Sequence, residues 1–369
     1  MRIVLAGGGT TGHISPMLAT AAALVEQVPT AAITCVGTPV GLETSLVPQA
    51  GFPLRVVDPV PLPRTVSIGL ATLPFRILKS VGQAKAILGE VGAEVVVGFG
   101  GYASLPVCLA ARRARIPVVV HEANAVAGLA NRIAARFAVA VCVAFANTGL
   151  RRQIVTGTPV SQRVAGLDRP AERLAARASF GLDPSGTVLL VSGGSQGAQS
   201  LNAAVVGALP DLDKAGVSVL HVTGKKNFGS PVDVPSLTHA QYVRVPYVDR
   251  MDMAYAAADL MLARSGAATV TETAIVGLPA IFVPLPHGNG EQAKNAAGVV
   301  AAGAGELIAD ADLTSACLAE EVTRLSADPA TLERMGSAAR GVMPRDAAQR
   351  VAHLVIQAAS GTPHPGAKP

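Results

Sequence analysis

A doubly wound α/β architecture, built as two parallel sheets each layered by helices, is the fold class this sequence predicts. Three observations predict it. Short β-branched runs alternate with alanine-rich stretches of helical length. Glycine loops stand directly between a strand and the following helix, once in each half. The chain has 369 residues, more than one core usually holds, since cores stop growing at roughly 250 residues. Half of the residues are hydrophobic, with 3% aromatic and no Trp. Ala and Val supply most of that content, which suits close-packed helices laid on branched strands.

In the first half, strands are read at 2–6, 32–36, 95–98, 117–121 and 139–144. Helices are read at 16–26, 68–88, 105–115 and 127–137. A second series begins after the Gly157-Thr158-Pro159 turn, with strands at 187–192, 217–223, 242–245, 260–263 and 280–283. Its helices fall at 198–208, 251–257, 268–276 and 292–302. Strand, loop, helix and strand again is the pattern of a parallel sheet. Gly, Pro and polar residues cluster at 157–170, so the domains are expected at 1–160 and 161–346. The apolar helix at 347–359 is expected to return to the first domain. The tail 360–369 lacks the means to form a core and is expected to be disordered.

Composition excludes several classes. Mean hydropathy is +0.43, but the uncharged runs at residues 95–111 and 273–290 are both broken by Gly and Pro. A membrane-spanning helix needs about 20 apolar residues, so none is expected. The N-terminus enters a strand at once and lacks the layout of a signal peptide. Cys35, Cys108, Cys142 and Cys317 lie far apart without metal-ligand spacing, which reads as free thiols in a reducing compartment. Residues 1–160 carry 13 Lys+Arg and 6 Asp+Glu, a net of +7, whereas the remainder nets −2. A basic first half suggests an anionic partner. That partner is either nucleic acid or an acidic lipid surface; the scarcity of aromatics removes the stacking platforms of a nucleic-acid binder, and no nucleic acid is expected.

The opening loop, Gly7-Gly8-Gly9-Thr10-Thr11-Gly12-His13, satisfies G-x-G-x-x-G and invites a dinucleotide reading. That reading needs an acidic residue at the end of the second strand. The position reads Val36-Gly37-Thr38-Pro39, with no carboxylate before Glu43, so the dehydrogenase is set aside. His13 stands at a loop-to-helix junction beside Ser15-Pro16, a pair suited to a helix start. A histidine there can act as a general base near neutral pH; a loop-stabilising histidine is the equally available alternative.

In the second half, Ser192-Gly193-Gly194-Ser195-Gln196-Gly197 leads from a strand into a helix, the form of an anion site at a helix N-terminus. Arg264-Ser265-Gly266-Ala267-Ala268-Thr269 allows close backbone approach, and Glu272 lies one turn into the next helix. A carboxylate there suits ribose hydroxyls; complementing the helix dipole is the alternative. The polar run containing Glu291, Gln292 and Asn295 suits sugar hydroxyls.

Five ordered motifs, namely the His13 loop, Gly98-Phe99-Gly100-Gly101-Tyr102, His121-Glu122-Ala123-Asn124, Gly193-Gly194-Ser195-Gln196-Gly197 and Arg264-Ser265-Gly266 through Glu272, closely resemble the MurG family. Its members are UDP-N-acetylglucosamine–muramyl-pentapeptide-pyrophosphoryl-undecaprenol N-acetylglucosaminyltransferases. The resemblance spans residues 2–355 and implies a GT-B glycosyltransferase, two Rossmann-like domains whose parallel sheets face an interdomain cleft. It implies inverting transfer of N-acetylglucosamine to the C4 hydroxyl of a lipid-linked muramyl pentapeptide, with His13 as catalytic base. Another GT-B transferase acting on a different lipid or small-molecule acceptor is the alternative. Thr10, Thr11, Gly12, Asn124, Arg163, Ser195, Val248, Ala267, Ala268, Thr269, Glu272 and Gln292 would bind the UDP-sugar. His13, Tyr102 and Asn124 would meet the acceptor.

There are departures. Thr11 stands where the family usually has glycine. The family's G-N-P-V-R run reads Gly157-Thr158-Pro159-Val160-Ser161, which leaves Arg163 as a displaced arginine. The paired glutamines read Glu291-Gln292. No cofactor and no tightly bound metal are expected. Phe75 and Leu78 with Arg76 and Lys79, in a stretch that also holds Arg64 and Lys85, form an apolar patch rimmed by cations, suited to an anionic bilayer. A core helix with solvated charges is the alternative. The expected location is the cytoplasmic face of the cell membrane, held peripherally, with cell-wall assembly proteins as further partners.

Overall fold

The structure, a computed structural model, describes residues 1–60, 69–194, 197–229, 231–287 and 290–361, with only the backbone of 69–72. The expected disorder of the tail therefore lies outside the described residues, apart from Ser360 and Gly361. Two compact units form, residues 1–161 with the chain from Asp346 onward, and residues 162–345.

Unit 1 runs β1 (Arg2–Ala6), α1 (Thr11–Gln27), β2 (Ala32–Gly37), α2 (Glu43–Gln49), β3 (Leu54–Val56) and α3 (Gly69–Val91). It continues through β4 (Val95–Gly98), α4 (Ser104–Arg113), β5 (Val118–Glu122), α5 (Leu129–Ala134), β6 (Ala140–Val143) and β7 (Gln153–Val155). The seven strands are parallel in the order β3-β2-β1-β4-β5-β6-β7. Side chains alternate across such a sheet. Ile3, Leu5, Val95 and Val97 face one core with Ile14, Met17 and Leu24 of α1. Val4, Ala6 and Val96 face another with Val81 and Leu88 of α3 and Val107 of α4.

Unit 2 begins with α6 (Gln162–Ala165), α7 (Arg169–Ser179), β8 (Thr187–Ser192), α8 (Gln199–Lys214), β9 (Val217–Val222), α9 (Lys225–Phe228) and β10 (Tyr242–Val245). Then come α10 (Met251–Ala257), β11 (Leu260–Ala263), α11 (Ala267–Val276), β12 (Ala280–Phe282), α12 (Glu291–Ala301), β13 (Gly305–Leu307), α13 (Ser315–Ser326) and α14 (Pro329–Ala339). Its six strands are parallel in the order β10-β9-β8-β11-β12-β13. The last helix, α15 (Ala347–Ala359), belongs to unit 1, where Val351 and Val355 join the α1 side of the core. No described helix is long and apolar enough to cross a membrane.

In each sheet the strand order reverses once, between β1 and β4 and between β8 and β11. Loops leaving the carboxyl ends of strands on either side of such a reversal diverge and leave a crevice, where open α/β sheets bind ligands. Those four loops are the glycine-bearing segments after Ala6, Gly98, Ser192 and Ala263.

The structure shifts some expectations. Helix α1 starts at Thr11, not at Pro16, so His13 lies in its first turn. Pro16 sits inside the helix and forfeits one helical N–H. The strand read at 117–121 is Val118–Glu122, which brings Glu122 to the strand end.

Unit 2 is fastened by Arg177 of α7, whose side chain is fully buried. Its guanidinium donates to the carbonyls of Ala257 (3.1 Å), Pro184 (3.0 Å) and Gly186 (3.0 Å) and to Asp259 (2.8 Å). Burial lowers its pKa, and the adjacent Asp259 opposes that shift. Arg177→Ala strands these carbonyls and part of the Asp259 charge, and is expected to destabilise the chain by about 3 kcal/mol. Urea denaturation measures this, and a loss below about 1 kcal/mol, the range of an exposed ion pair, would sink the assignment.

Candidate active site

In unit 1, Gly7 donates its N–H to Val36 O (3.1 Å), tying the glycine loop to β2. Gly9 turns at φ +89°, a conformation that favours glycine. His13 points back toward the loop, with Nδ1 3.2 Å from Gly8 O and 3.3 Å from the Thr10 hydroxyl. A carbonyl oxygen can only accept, so the contact with Gly8 places a hydrogen on Nδ1 and leaves the Nε2 lone pair free in the neutral ring. Nε2 faces Gly100, where an added Cβ would stand 3.1 Å away. The ring is half-buried among dense protein. Desolvation lowers its pKa below 6.5, against the Coulombic pull of Glu122, the Gly8 carbonyl and Glu43.

Two carboxylates organise this region. Glu122, at the end of β5 and buried, accepts the N–H groups of Asn124 (2.9 Å) and Gly128 (2.9 Å) and the Asn131 amide (3.0 Å). Asn131 also donates to His121 O (3.1 Å). These bonds set the loop that carries Asn124. Glu43 of α2 is fully buried and accepts Gly9 N–H (2.9 Å), Thr38 N–H (2.8 Å) and the Thr38 hydroxyl (2.7 Å). Burial alone would raise its pKa, but these hydrogen bonds outweigh it and hold the carboxyl below its usual range. The sequence reading assigned neither residue a role. The Gly-rich turn before Glu43 was the available signal. Tyr102 is exposed beyond the β4 loop.

In unit 2, Gly193 and Gly197 make close backbone approaches. A Cβ at Gly193 would lie 2.3 Å from Ala198 N, and one at Gly197 would lie 2.3 Å from Thr223 O. Ser195, expected on this loop, lies outside the described residues. Asn202 of α8 donates to Thr223 O (3.1 Å) and accepts from His221 Nε2 (3.0 Å), while the Tyr242 hydroxyl meets His221 Nδ1 (2.9 Å). Burial and the neighbouring Arg244 push His221 down to about 4, so this buried chain is neutral.

After β11, Arg264 donates to Val283 O (3.1 Å), Pro284 O (3.2 Å), Asp310 (2.6 Å) and the Ser200 hydroxyl (2.8 Å), and so joins three loops. Gly266 is the extended N-cap of α11, and Ala267, Ala268 and Thr269 form its first turn. Glu272, half-buried on the same helix, accepts the hydroxyl of buried Tyr255 at 2.6 Å through Oε2. Burial raises the Glu272 pKa and the Tyr255 bond opposes this. Gln292 spends its carbonyl oxygen on Leu285 N–H (3.0 Å), and its NH₂ makes no bond among the described residues. Val248 is buried just past β10. Arg163 is exposed on α6, where its charge helps lower the Asp252 pKa. The chain's two Asp-x-Asp pairs, Asp211-Leu212-Asp213 and Asp310-Ala311-Asp312, carry structural bonds. Asp213 accepts the N–H groups of residues 238–240, and Asp310 holds Arg264 and Ser200.

On α3, Phe75 is 76% and Leu78 55% exposed, which excludes both from the core. Lys79 pairs with Asp58 (2.7 Å) and Arg76 donates to Pro59 O (3.2 Å). Arg64 lies outside the described residues.

Two parallel Rossmann-like sheets, each with glycine loops at its reversal point, are the domains of a GT-B glycosyltransferase. Residues 3–143 match the glycosyltransferase family 28 N-terminal domain and residues 188–351 its C-terminal domain. The UDP-N-acetylglucosamine–N-acetylmuramyl-(pentapeptide) pyrophosphoryl-undecaprenol N-acetylglucosamine transferase of Nocardioides sp. is 52% identical over 98% of this chain and 99% of its own. The same enzyme of Mycobacterium leprae is 52% identical over 97% of this chain and 89% of its own. The crystal structure of Acinetobacter baumannii MurG is 30% identical, with a TM-score of 0.75 over 96% of this chain and 99% of that one. The chain belongs to the MurG family of N-acetylglucosaminyltransferases.

The contact between the two unit 1 glycine loops is tight enough to test. At Gly101, φ is +82° and a Cβ would lie 2.3 Å from Gly8 O. Gly51 has nearly the same φ, +83°, with nothing within 4 Å. Gly51→Ala is expected to lose about 1 kcal/mol from backbone strain alone, and Gly101→Ala roughly 2 kcal/mol more from overlap. Equal losses in thermal denaturation would show that the loops do not press on each other.

Proposed function

We propose that this chain transfers N-acetylglucosamine from UDP-N-acetylglucosamine to the C4 hydroxyl of undecaprenyl-pyrophosphoryl-N-acetylmuramyl-pentapeptide (lipid I), giving lipid II, a step of peptidoglycan synthesis. The observation that carries this reading is full-length identity of 52% to enzymes of that name. The site supplies a chemistry consistent with it. Unit 1 takes the lipid acceptor and unit 2 the nucleotide sugar. His13 Nε2 removes the proton of the acceptor hydroxyl as that oxygen attacks the anomeric carbon from the face opposite the leaving UDP, so the configuration inverts. The departing pyrophosphate gains charge, and the Gly193-Gly194 loop with the N-termini of α8 and α11 offers N–H groups to it. Val248 and the Ala267, Ala268, Thr269 turn line the nucleotide. Glu272, with one oxygen held by Tyr255, presents the other to ribose hydroxyls. The Gln292 NH₂ reaches sugar hydroxyls. Thr10, Thr11, Gly12, Tyr102 and Asn124 are the unit 1 residues offered to the substrates, and Arg163 and Ser195 complete the donor set. A lipid acceptor requires contact with the bilayer, and Phe75 and Leu78, flanked by Arg76 and Lys79, supply it at the cytoplasmic face.

A general base typically contributes about 10² to 10⁴-fold, so His13→Ala is expected to lower kcat within that range with the Kd for UDP unchanged. The base must be neutral, and burial lowers its pKa below 6.5. Turnover should therefore hold at neutral pH and fall as pH drops through that lowered value. Transfer of labelled N-acetylglucosamine to a short-chain lipid-linked acceptor reads both effects, and unchanged turnover in the variant removes His13 from the role.

Phe75→Ser combined with Leu78→Ser is expected to abolish flotation with anionic vesicles while sparing transfer to a soluble acceptor. Undiminished flotation would refute the membrane patch.

A further inference from the structure

The most unusual ionisable group near His13 is Glu43, a carboxylate without a cation. Among the described residues no Lys, Arg or His lies within ion-pair distance of it. Three glycines enclose it. A Cβ at Gly8 would stand 2.3 Å from Oε1, one at Gly37 2.5 Å from Cγ, and one at Gly41 1.8 Å from Oε2. Nothing larger than hydrogen fits at any of the three positions while the carboxylate keeps its place.

The partner of Oε2 is informative. Gly9 N–H and Gly8 C=O belong to a single peptide plane and point in opposite directions. Glu43 Oε2 accepts the N–H at 2.9 Å, and the carbonyl lies 3.2 Å from His13 Nδ1. Accepting the N–H pushes electron density toward the carbonyl oxygen, because linked hydrogen bonds polarise one another. Thr38 fixes the other end of the carboxylate through Oε1 with two bonds, so the group can neither rotate nor withdraw.

We propose that Glu43 is a positioning residue for His13, acting through the Gly8–Gly9 peptide as a carboxylate–peptide–imidazole relay that fixes the Nδ1–H tautomer and supports the imidazolium formed in the reaction. The relay rests on the reading of His13 as general base. The proton taken from the acceptor stays on Nε2, the Nδ1 proton stays on His13, Glu43 remains ionised, and no proton crosses the peptide. The other groups facing His13 are Glu122 from the end of β5, the Thr10 hydroxyl and the Gly100 backbone. Glu122 is the larger Coulombic influence and Glu43 the smaller, so charge alone does not account for the placement of Glu43. Its distinctive contribution is the grip on the peptide.

The first measurement is the His13 tautomer in the wild-type chain, by ¹⁵N imidazole NMR above its pKa. Hydrogen on Nδ1 is expected, and hydrogen on Nε2 overturns the relay. The second uses Glu43→Gln, alone and with His13→Gln. Alone it is expected to lower kcat about tenfold, to leave the Kd for UDP unchanged, and to move the acid limb of the kcat profile to lower pH, since a negative charge that raised the imidazole pKa is gone. On the His13→Gln background it should have no further effect. An equal loss in both backgrounds, or a loss without the acid-limb shift, makes Glu43 merely structural and overturns the relay. If Glu43→Gln does not fold, the wild-type tautomer decides. Failure of the base reading would look different, because His13→Gln would then retain turnover.

Discussion

A carboxylate removed from water loses several kcal/mol of solvation unless hydrogen bonds or an opposite charge replace it. Among the described residues Glu43 has no opposite charge within ion-pair distance and relies on three donors, two from Thr38 and one from Gly9. That dependence works in both directions. The carboxylate needs Gly9 N–H, and the loop between β1 and α1 is held in shape by the carboxylate. Gly7 is tied to β2 through Val36, Gly8 presses on Gly101, and His13 leans on the Gly8 carbonyl. Loops after β1, β2 and β4 therefore meet over one buried anion, and the orientation of the candidate base follows from where that anion sits.

Unit 2 has the same topology and is wired differently. Its loops are joined by a cation, Arg264, which links the end of β11 to the segments after β12 and β13 and to the start of α8 through Pro284, Asp310 and Ser200. Its Gly193 and Gly197 serve close approach of the backbone to Ala198 and Thr223, whereas Gly8, Gly37 and Gly41 of unit 1 make room for a side chain. Its carboxylate, Glu272, has a single bond among the described residues, from Tyr255. A carboxylate with one committed oxygen keeps the other for a ligand, whereas one with both committed, as in Glu43, fixes the groups that donate to it. Topology fixes where such groups stand, and local wiring decides which of the two they do.

The sequence pattern made the central strands legible because β1, β4, β5, β8 and β11 are buried on both faces and read as continuous β-branched runs. The strands β3, β7 and β13 escaped notice. Each is three residues long and partly exposed at a sheet edge, so none carries an apolar run. Helices α2, α7, α13 and α14 were missed because polar and charged residues interrupt their apolar positions, as along α7 from Arg169 to Ser179. The start of α1 was misplaced because Ser15-Pro16 looks like a helix cap, and only the tertiary setting lets the helix begin at Thr11. The loops carrying His13, Asn124 and Glu272 were visible from glycine spacing and polar punctuation. The bonds that orient them, from Glu43, Glu122 and Tyr255, join residues 17 or more positions apart in two of the three cases, and apart from the Gly-rich turn before Glu43 no local signal points to them.

The failed dinucleotide fingerprint has a physical explanation in the same residues. In a dinucleotide site, an acidic residue at the end of the second strand turns outward to the ribose, and the glycine loop leaves its N–H groups open to pyrophosphate. Here the acid arrives late, from α2, and reaches back to Thr38 at the end of β2 with both oxygens turned inward. One of them takes Gly9 N–H. The protein thus supplies its own anion to the loop, and an external phosphate would meet at Gly9 a donor already engaged and a negative charge beneath it. The consequence for unit 1 is that its glycine loop serves as a mount for His13. The glycines at 8, 37 and 41 are explained by the volume of the Glu43 side chain, without reference to any nucleotide.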